Sequence, residues 1–147
     1  MTLHSLRDRA LYVTPIRLGL GIVWLVAARL AGGPPTGTVL AFAGGALFTV
    51  IALFNDPRAA FLRREEPQPA PEGVRVAGKL EQALRATMPS TFGVSVLAAM
   101  ALVIQPTLAA ILGGISAGLG LAGLLYGLRA DPGLYVEPQS GVVYRRS

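Results

Sequence analysis

The chain has 147 residues, of which 52% are hydrophobic and 14% charged, with a net charge of +5 and a mean hydropathy of +0.55. A soluble domain carries about 25% charged residues, so this composition points to a membrane rather than to an aqueous core. With no cysteine, a disulfide framework, a thiol nucleophile and a thiolate metal site are excluded.

At the N-terminus the single histidine, His4, stands among polar residues. A lone imidazole without clustered carboxylates cannot build a metal site, and His4 is expected to be solvated or interfacial. Arg7 and Arg9 precede an apolar stretch at 18–28. The sequence Ala28-Arg29-Leu30-Ala31 lacks a small-x-small cleavage pattern because Leu30 is large, so a retained helix is expected rather than a signal peptide.

Two uncharged runs follow, 26 residues at 30–55 and 43 residues at 86–128. A bilayer core about 30 Å thick needs roughly 20 apolar helical residues, so the longer run suits two spans with a tight turn. The first span is predicted at 11–31 and is closed by Gly32-Gly33-Pro34-Pro35-Thr36-Gly37, which cannot continue a helix. The second, at 38–54, stops at Asn55-Asp56-Pro57. The third, at 89–104, opens on Pro89 as a first-turn proline and reverses at Gln105-Pro106-Thr107. The fourth, at 108–128, stops before Asp131-Pro132-Gly133. The expected fold is thus an all-α integral membrane protein: one domain, 1–147, with four transmembrane helices, a loop at 55–88 and a tail at 129–147.

The halves share landmarks: Pro15 and Pro89 near span starts, Pro35-Thr36 and Pro106-Thr107 at turns, Asp56-Pro57 and Asp131-Pro132 at ends. Two tandem helical hairpins would produce this pattern; so would prolines that simply mark helix ends. Both readings stay open.

Charge orients the spans. Of the 13 basic residues, twelve (Arg7, Arg9, Arg17, Arg58, Arg63, Arg64, Arg75, Lys79, Arg85, Arg129, Arg145 and Arg146) fall on one side and Arg29 on the other. By the positive-inside rule both termini and the central loop are expected in the cytoplasm, with the chain in a bacterial inner membrane. Anionic lipid headgroups are then the expected partner of the basic residues, and nucleic acid is not.

Within the spans, close approach through small residues replaces hydrophobic drive. Gly114 with Gly118, Gly123 with Gly127, and Ala41 with Gly45 are the candidate packing or subunit-interface pairs. Arg17 and Arg29 are twelve positions apart, about 18 Å of helix, less than the hydrocarbon thickness. Each is expected to reach lipid headgroups or an intramembrane polar partner, with Gln105 a candidate for Arg29. Trp24, between them, is assigned to packing.

The stretch 64–73, with Pro67, Pro69 and Pro71, reads as an extended linker. The stretch 74–88 reads as a basic amphipathic helix on the membrane surface, with Val76, Leu80, Ala83 and Leu84 on one face. In the tail, two β-prone runs containing Tyr135 and Val136, and Val143 and Tyr144, flank Pro138-Gln139-Ser140-Gly141, a possible short β-hairpin for docking a partner.

No Ser-His-Asp set, paired carboxylates or ligand cluster stands out, so no catalytic residue, cofactor or metal is expected, and the chain is not expected to be an enzyme. Asp56 and Asp131, at equivalent helix ends, are the one pair that could share a cation. In size and span number the chain resembles the small multidrug exporters, which implies a homo-oligomeric transporter. Those proteins carry a membrane-embedded glutamate for proton coupling, and no Asp or Glu lies inside any predicted span here. The first expectation is an accessory, assembly or structural subunit of a larger membrane complex, associating with other membrane subunits or itself; a transporter or channel without an acidic coupling residue is the alternative.

Overall fold

The computed structural model describes residues 1–56 and 66–146. Pro57, Arg58, Arg63 and Arg64 lie outside the described residues. In chain order the elements are β1 (Thr2–Ser5), α1 (Leu6–Leu30), α2 (Pro35–Asn55), β2 (Gln68–Pro69), β3 (Arg75–Val76), α3 (Lys79–Thr87), α4 (Ser90–Ile104), α5 (Pro106–Arg129), β4 (Leu134–Val136) and β5 (Val143–Arg145).

Helix α1 begins at Leu6, five residues before the predicted start. Ser5 caps it, its Oγ accepting from the Asp8 N–H at 3.2 Å, and the Asp8 carboxylate stands where the helix dipole favours negative charge. Pro15 therefore lies inside α1, not at its start, and does not match Pro89 in position. At the other end Gly33 N–H reaches back to Ala28 O at 3.0 Å and Gly32 N–H to Arg29 O at 3.2 Å. This is a Schellman closure, and it requires the positive φ of 93° that Gly32 adopts. Pro35 then serves as the first residue of α2, where its missing N–H costs nothing.

Helices α1, α2 and α5 are each long and apolar enough to cross a membrane, at 25, 21 and 24 residues. Helix α4 has 15 residues, about 22 Å, and falls short by itself. It joins α3 through Met88-Pro89, a cis peptide bond, with a 49° change of axis; the bent pair qualifies as a fourth span when taken together. Pro89 has no N–H to carry the helical ladder across the break. The segment before α4 is thus a separate short helix set at an angle to it. Val76 also belongs to a strand rather than to the amphipathic helix. The helix presents Leu80 and Leu84 outward, while Gln82, Ala83 and Ala86 are buried on the other side.

Helix α5 is the centre of the bundle: α1, α2 and α4 all pack on it, whereas α1 and α2 scarcely meet. Its glycines make this possible. A Cβ at Gly114 would stand 2.1 Å from the Phe42 carbonyl oxygen, and one at Gly118 2.6 Å from that of Ala46. From α2, a Cβ at Gly45 would stand 2.5 Å from the Ile111 carbonyl oxygen. On the opposite flank Gly113 meets Gly21 of α1, and Gly127 meets Leu11. The outward faces of α2 and α4 are apolar, with Phe48, Leu40, Met100 and Val103 all exposed.

At one end of the helices the strands form a mixed sheet in the order β2-β5-β4-β1-β3. β1 lies parallel to β3 (Leu3 opposite Val76) and antiparallel to β4 (His4 opposite Val136). β4 and β5 pair antiparallel, Tyr135 opposite Tyr144 and Val136 opposite Val143. β2 pairs parallel with β5, so Gln68 and Pro69 of the proline-rich stretch form an edge strand. Pro69, unable to donate, stands at that edge, where a strand tolerates proline.

Gly114→Ala should lower the melting temperature of the detergent-solubilised chain, by the equivalent of about 1–3 kcal/mol of overpacking. Gly44→Ala, at a position open to its surroundings, should be neutral or slightly stabilising. Thermal unfolding of the two variants side by side checks this.

Candidate functional site

Polar groups concentrate where α1 passes the break between α3 and α4. The Arg17 Nε donates to Thr91 Oγ1 at 3.0 Å, and Nη2 donates to the Ala86 carbonyl oxygen at 3.0 Å. In an unbroken helix the Ala86 carbonyl would accept from the backbone N–H four residues on. Here α3 stops at Thr87, and the guanidinium takes that donor's place, adding positive charge at a helix C-terminus where the dipole favours it. The Ser116 hydroxyl donates in turn to the Arg17 carbonyl oxygen at 3.0 Å, and the Thr14 hydroxyl donates to Ala10 O at 2.9 Å and to Gly120 O at 3.2 Å. Arg17 thus joins α1, α3 and α4.

The other predicted polar contacts are placed differently. Arg29 Nη1 donates to the Gly33 carbonyl oxygen, reinforcing the end of its own helix, and no hydrogen bond joins it to Gln105. Gln105 is exposed between α4 and α5, its backbone N–H bonded to Ala101 O at 2.7 Å. Trp24 donates from Nε1 to Ser95 Oγ at 3.4 Å, and its Cβ lies against the position of Gly113. Gly114, Gly118 and Gly45 face backbone of the same chain; Gly123 has looser neighbours in Ala10 and Thr14. Ala41 packs against the cluster of Ala28, Ala101, Ala109 and Ala110.

The tail strands are interior to the sheet: β4 lies between β5 and β1, and β5 between β2 and β4. Tyr135, Val136, Val143 and Tyr144 therefore offer no free strand edge, and Tyr144 is buried. Asp131 is occupied as a turn and ion-pair group: its Oδ1 accepts from the Gly133 N–H at 2.9 Å, and Oδ2 lies 3.7 Å from Arg145 Nη2. Among the described residues no group of three or more His, Asp or Glu could hold a metal ion.

His4 corrects the expectation of a solvated side chain. It is 1% exposed, and Leu3 is equally buried on the opposite face of β1, so both faces of the strand are covered. Neither His4 ring nitrogen has a hydrogen-bond partner among the described residues. Gln82, also buried, donates from Nε2 to Ala77 O at 2.7 Å, but its Oε1 is unpartnered too. Burial first, then the charges of Arg9 and Arg85, hold the imidazole below its ordinary 6.5, against an opposing pull from Glu81. The burial follows from pairing residues 2–5 with strands far along the chain, a signal that local sequence does not carry. The Ser5-x-x-Asp8 cap was readable and places the helix start directly after it.

Comparison with protein-family models, curated proteins and solved structures finds no match to this chain. Its class rests on the helices, three of which are long and apolar enough to cross a membrane.

Because the folded state binds the His4 proton less readily than the unfolded chain, the linked stability is complete above pH 6.5 and declines as pH falls below it. His4→Phe should flatten that dependence and melt no lower than the parent at pH 6, since it removes two unpartnered nitrogens. Melting temperatures from pH 5 to 8 check both statements.

Proposed function

We propose that this chain is a small, non-catalytic membrane protein that serves as an accessory, assembly or structural subunit of a larger complex in the bacterial inner membrane. In this reading α1, α2, the bent α3–α4 pair and α5 make four crossings, arranged as two successive pairs, and the sheet end faces the cytoplasm. The observation that carries the reading is how the polar side chains between the helices are used. Arg17, Thr14, Ser116, Thr49 and Trp24 each bond to a neighbouring backbone or side chain. Among the described residues, acids on the spanning helices are confined to first turns, Asp8 in α1 and Glu81 in α3, and Glu81 is ion-paired with Arg75 and Arg85. Such an interior is built to be held together, with no carboxylate positioned to carry a proton or cation across. The apolar outer faces of α2 and α4 then contact lipid or the companion subunit.

Purification from native membranes in mild detergent should give a stoichiometric companion by mass spectrometry, and reconstituted liposomes of the chain alone should show no solute flux. A lone monomer, or flux above empty liposomes, would overturn the reading.

Orientation has a separate check, because the chain has no cysteine of its own. Thr36→Cys should react with a membrane-impermeant maleimide on intact spheroplasts, and Ser140→Cys only after lysis. The opposite pattern would invert the topology.

A further inference from the structure

A cleft of about 260 Å³ opens against α1 at the sheet end, with Arg9 and Arg17 on one wall and Val13 between them. The three residues recur at four-residue spacing and share one helix face. Arg9 and Arg17 are separated by about 12 Å of rise, and Arg17 leans back toward Arg9 because helical side chains tilt to the N-terminus. Arg17 uses two of its five N–H groups on Thr91 and Ala86, which fixes the guanidinium and leaves three donors. Arg9, half-buried, makes no hydrogen bond or ion pair among the described residues; the ion pairs join Glu81 to Arg75 and Arg85, and Asp131 to Arg145. Among the described residues that line the cleft there is no carboxylate, so two cations share a partly dehydrated site, an arrangement that an anion relieves.

The chemistry selects the anion. A guanidinium fork matches the oxygens of a phosphate in a way that a single point charge does not. The remaining walls are largely apolar, including Leu53 and Leu119. They suit methylene groups attached to that phosphate. Beside the cleft, α3 turns Leu80, Leu84 and its neighbour Met88 outward, as a helix does at the boundary between headgroups and acyl chains. We propose that the cleft between Arg9 and Arg17 binds a phosphate group, supplied by an anionic phospholipid whose first acyl segment lies against Leu53 and Leu119. Soluble phosphate presents the same group without the chain. The site stands independently of any role as a subunit.

The test uses the full chain, delipidated in a mild non-ionic detergent, with thermal unfolding followed as phosphatidylglycerol, phosphatidylcholine or inorganic phosphate is added. Phosphatidylglycerol should raise the melting temperature more than phosphatidylcholine does. Arg9→Gln should melt no lower than the parent without lipid, since it removes one of two unrelieved cations, yet need about tenfold more phosphatidylglycerol for the same shift, the scale of one charge-assisted hydrogen bond. Arg145→Gln, a cation outside the cleft, should respond as the parent does. An equal, Arg9-dependent shift with inorganic phosphate would support the site and identify a free anion as its occupant. Equal shifts with both lipids, or an Arg9→Gln variant with undiminished response, would overturn the proposal.

Discussion

Backbone-to-backbone approach along α5 is the constraint on which the bundle depends. Lipid tails are as apolar as leucine, so helices in a bilayer gain little by hiding apolar surface from one another and must gain by fit. Fit here means removing side chains. Gly114 and Gly118 let the carbonyls of Phe42 and Ala46 reach α5, and Gly113 and Gly21 do the same between α5 and α1. With glycine on two flanks, one helix can be shared by α1 and α2, which need not pack against each other. The glycine faces of α5 are consumed inside the chain, and the outward faces of α2 and α4 are bulky and apolar.

A second constraint follows from breaking a helix within such a bundle. Stopping α3 at Thr87 leaves the carbonyl groups of its last turn without all their helical donors. Arg17 meets the Ala86 carbonyl, and Thr87 turns its own hydroxyl back to Leu84 O at 2.9 Å. An arginine on an otherwise apolar stretch of α1 is thereby explained by a partner 69 positions away rather than by its own helix. The cation of Lys79, 5.5 Å from the centroid of the Tyr12 ring, adds a second tie between α3 and α1.

Much of this architecture was legible because length and hydropathy are local properties. The uncharged runs locate α2, α4 and α5 to within a few residues, and the glycine spacing on α5 marks its packing faces. The start of α1 was legible too, in Ser5 and Asp8, but an emphasis on apolar residues passes over a polar first turn. The pairing of β4 with β5 was legible in the two β-prone runs of the tail, but β1, β2 and β3 were not. Strands of two to four residues are too short to show alternation, and Gln68-Pro69 looks like a linker until β5 lies beside it. His4 is buried by partners at 75–76 and 134–136, so no window around it predicts its environment. The role of Arg17 was hidden for the same reason: its proximity to Ala86 depends on how α1 and α3 pack.

The strand order has a consequence for how the molecule is made. β1 leaves the ribosome before any of the helices, and β4 after all of them, yet the two are neighbours in the sheet. Until residues 134–136 have been synthesised, His4 and Ser5 lack the partners that the finished sheet gives them. Loop closure over so long a separation is the slowest kind of pairing to find. The pairing of β1 with β4 consequently waits on the synthesis of every helix, whereas its pairing with β3 needs only α1 and α2 before it.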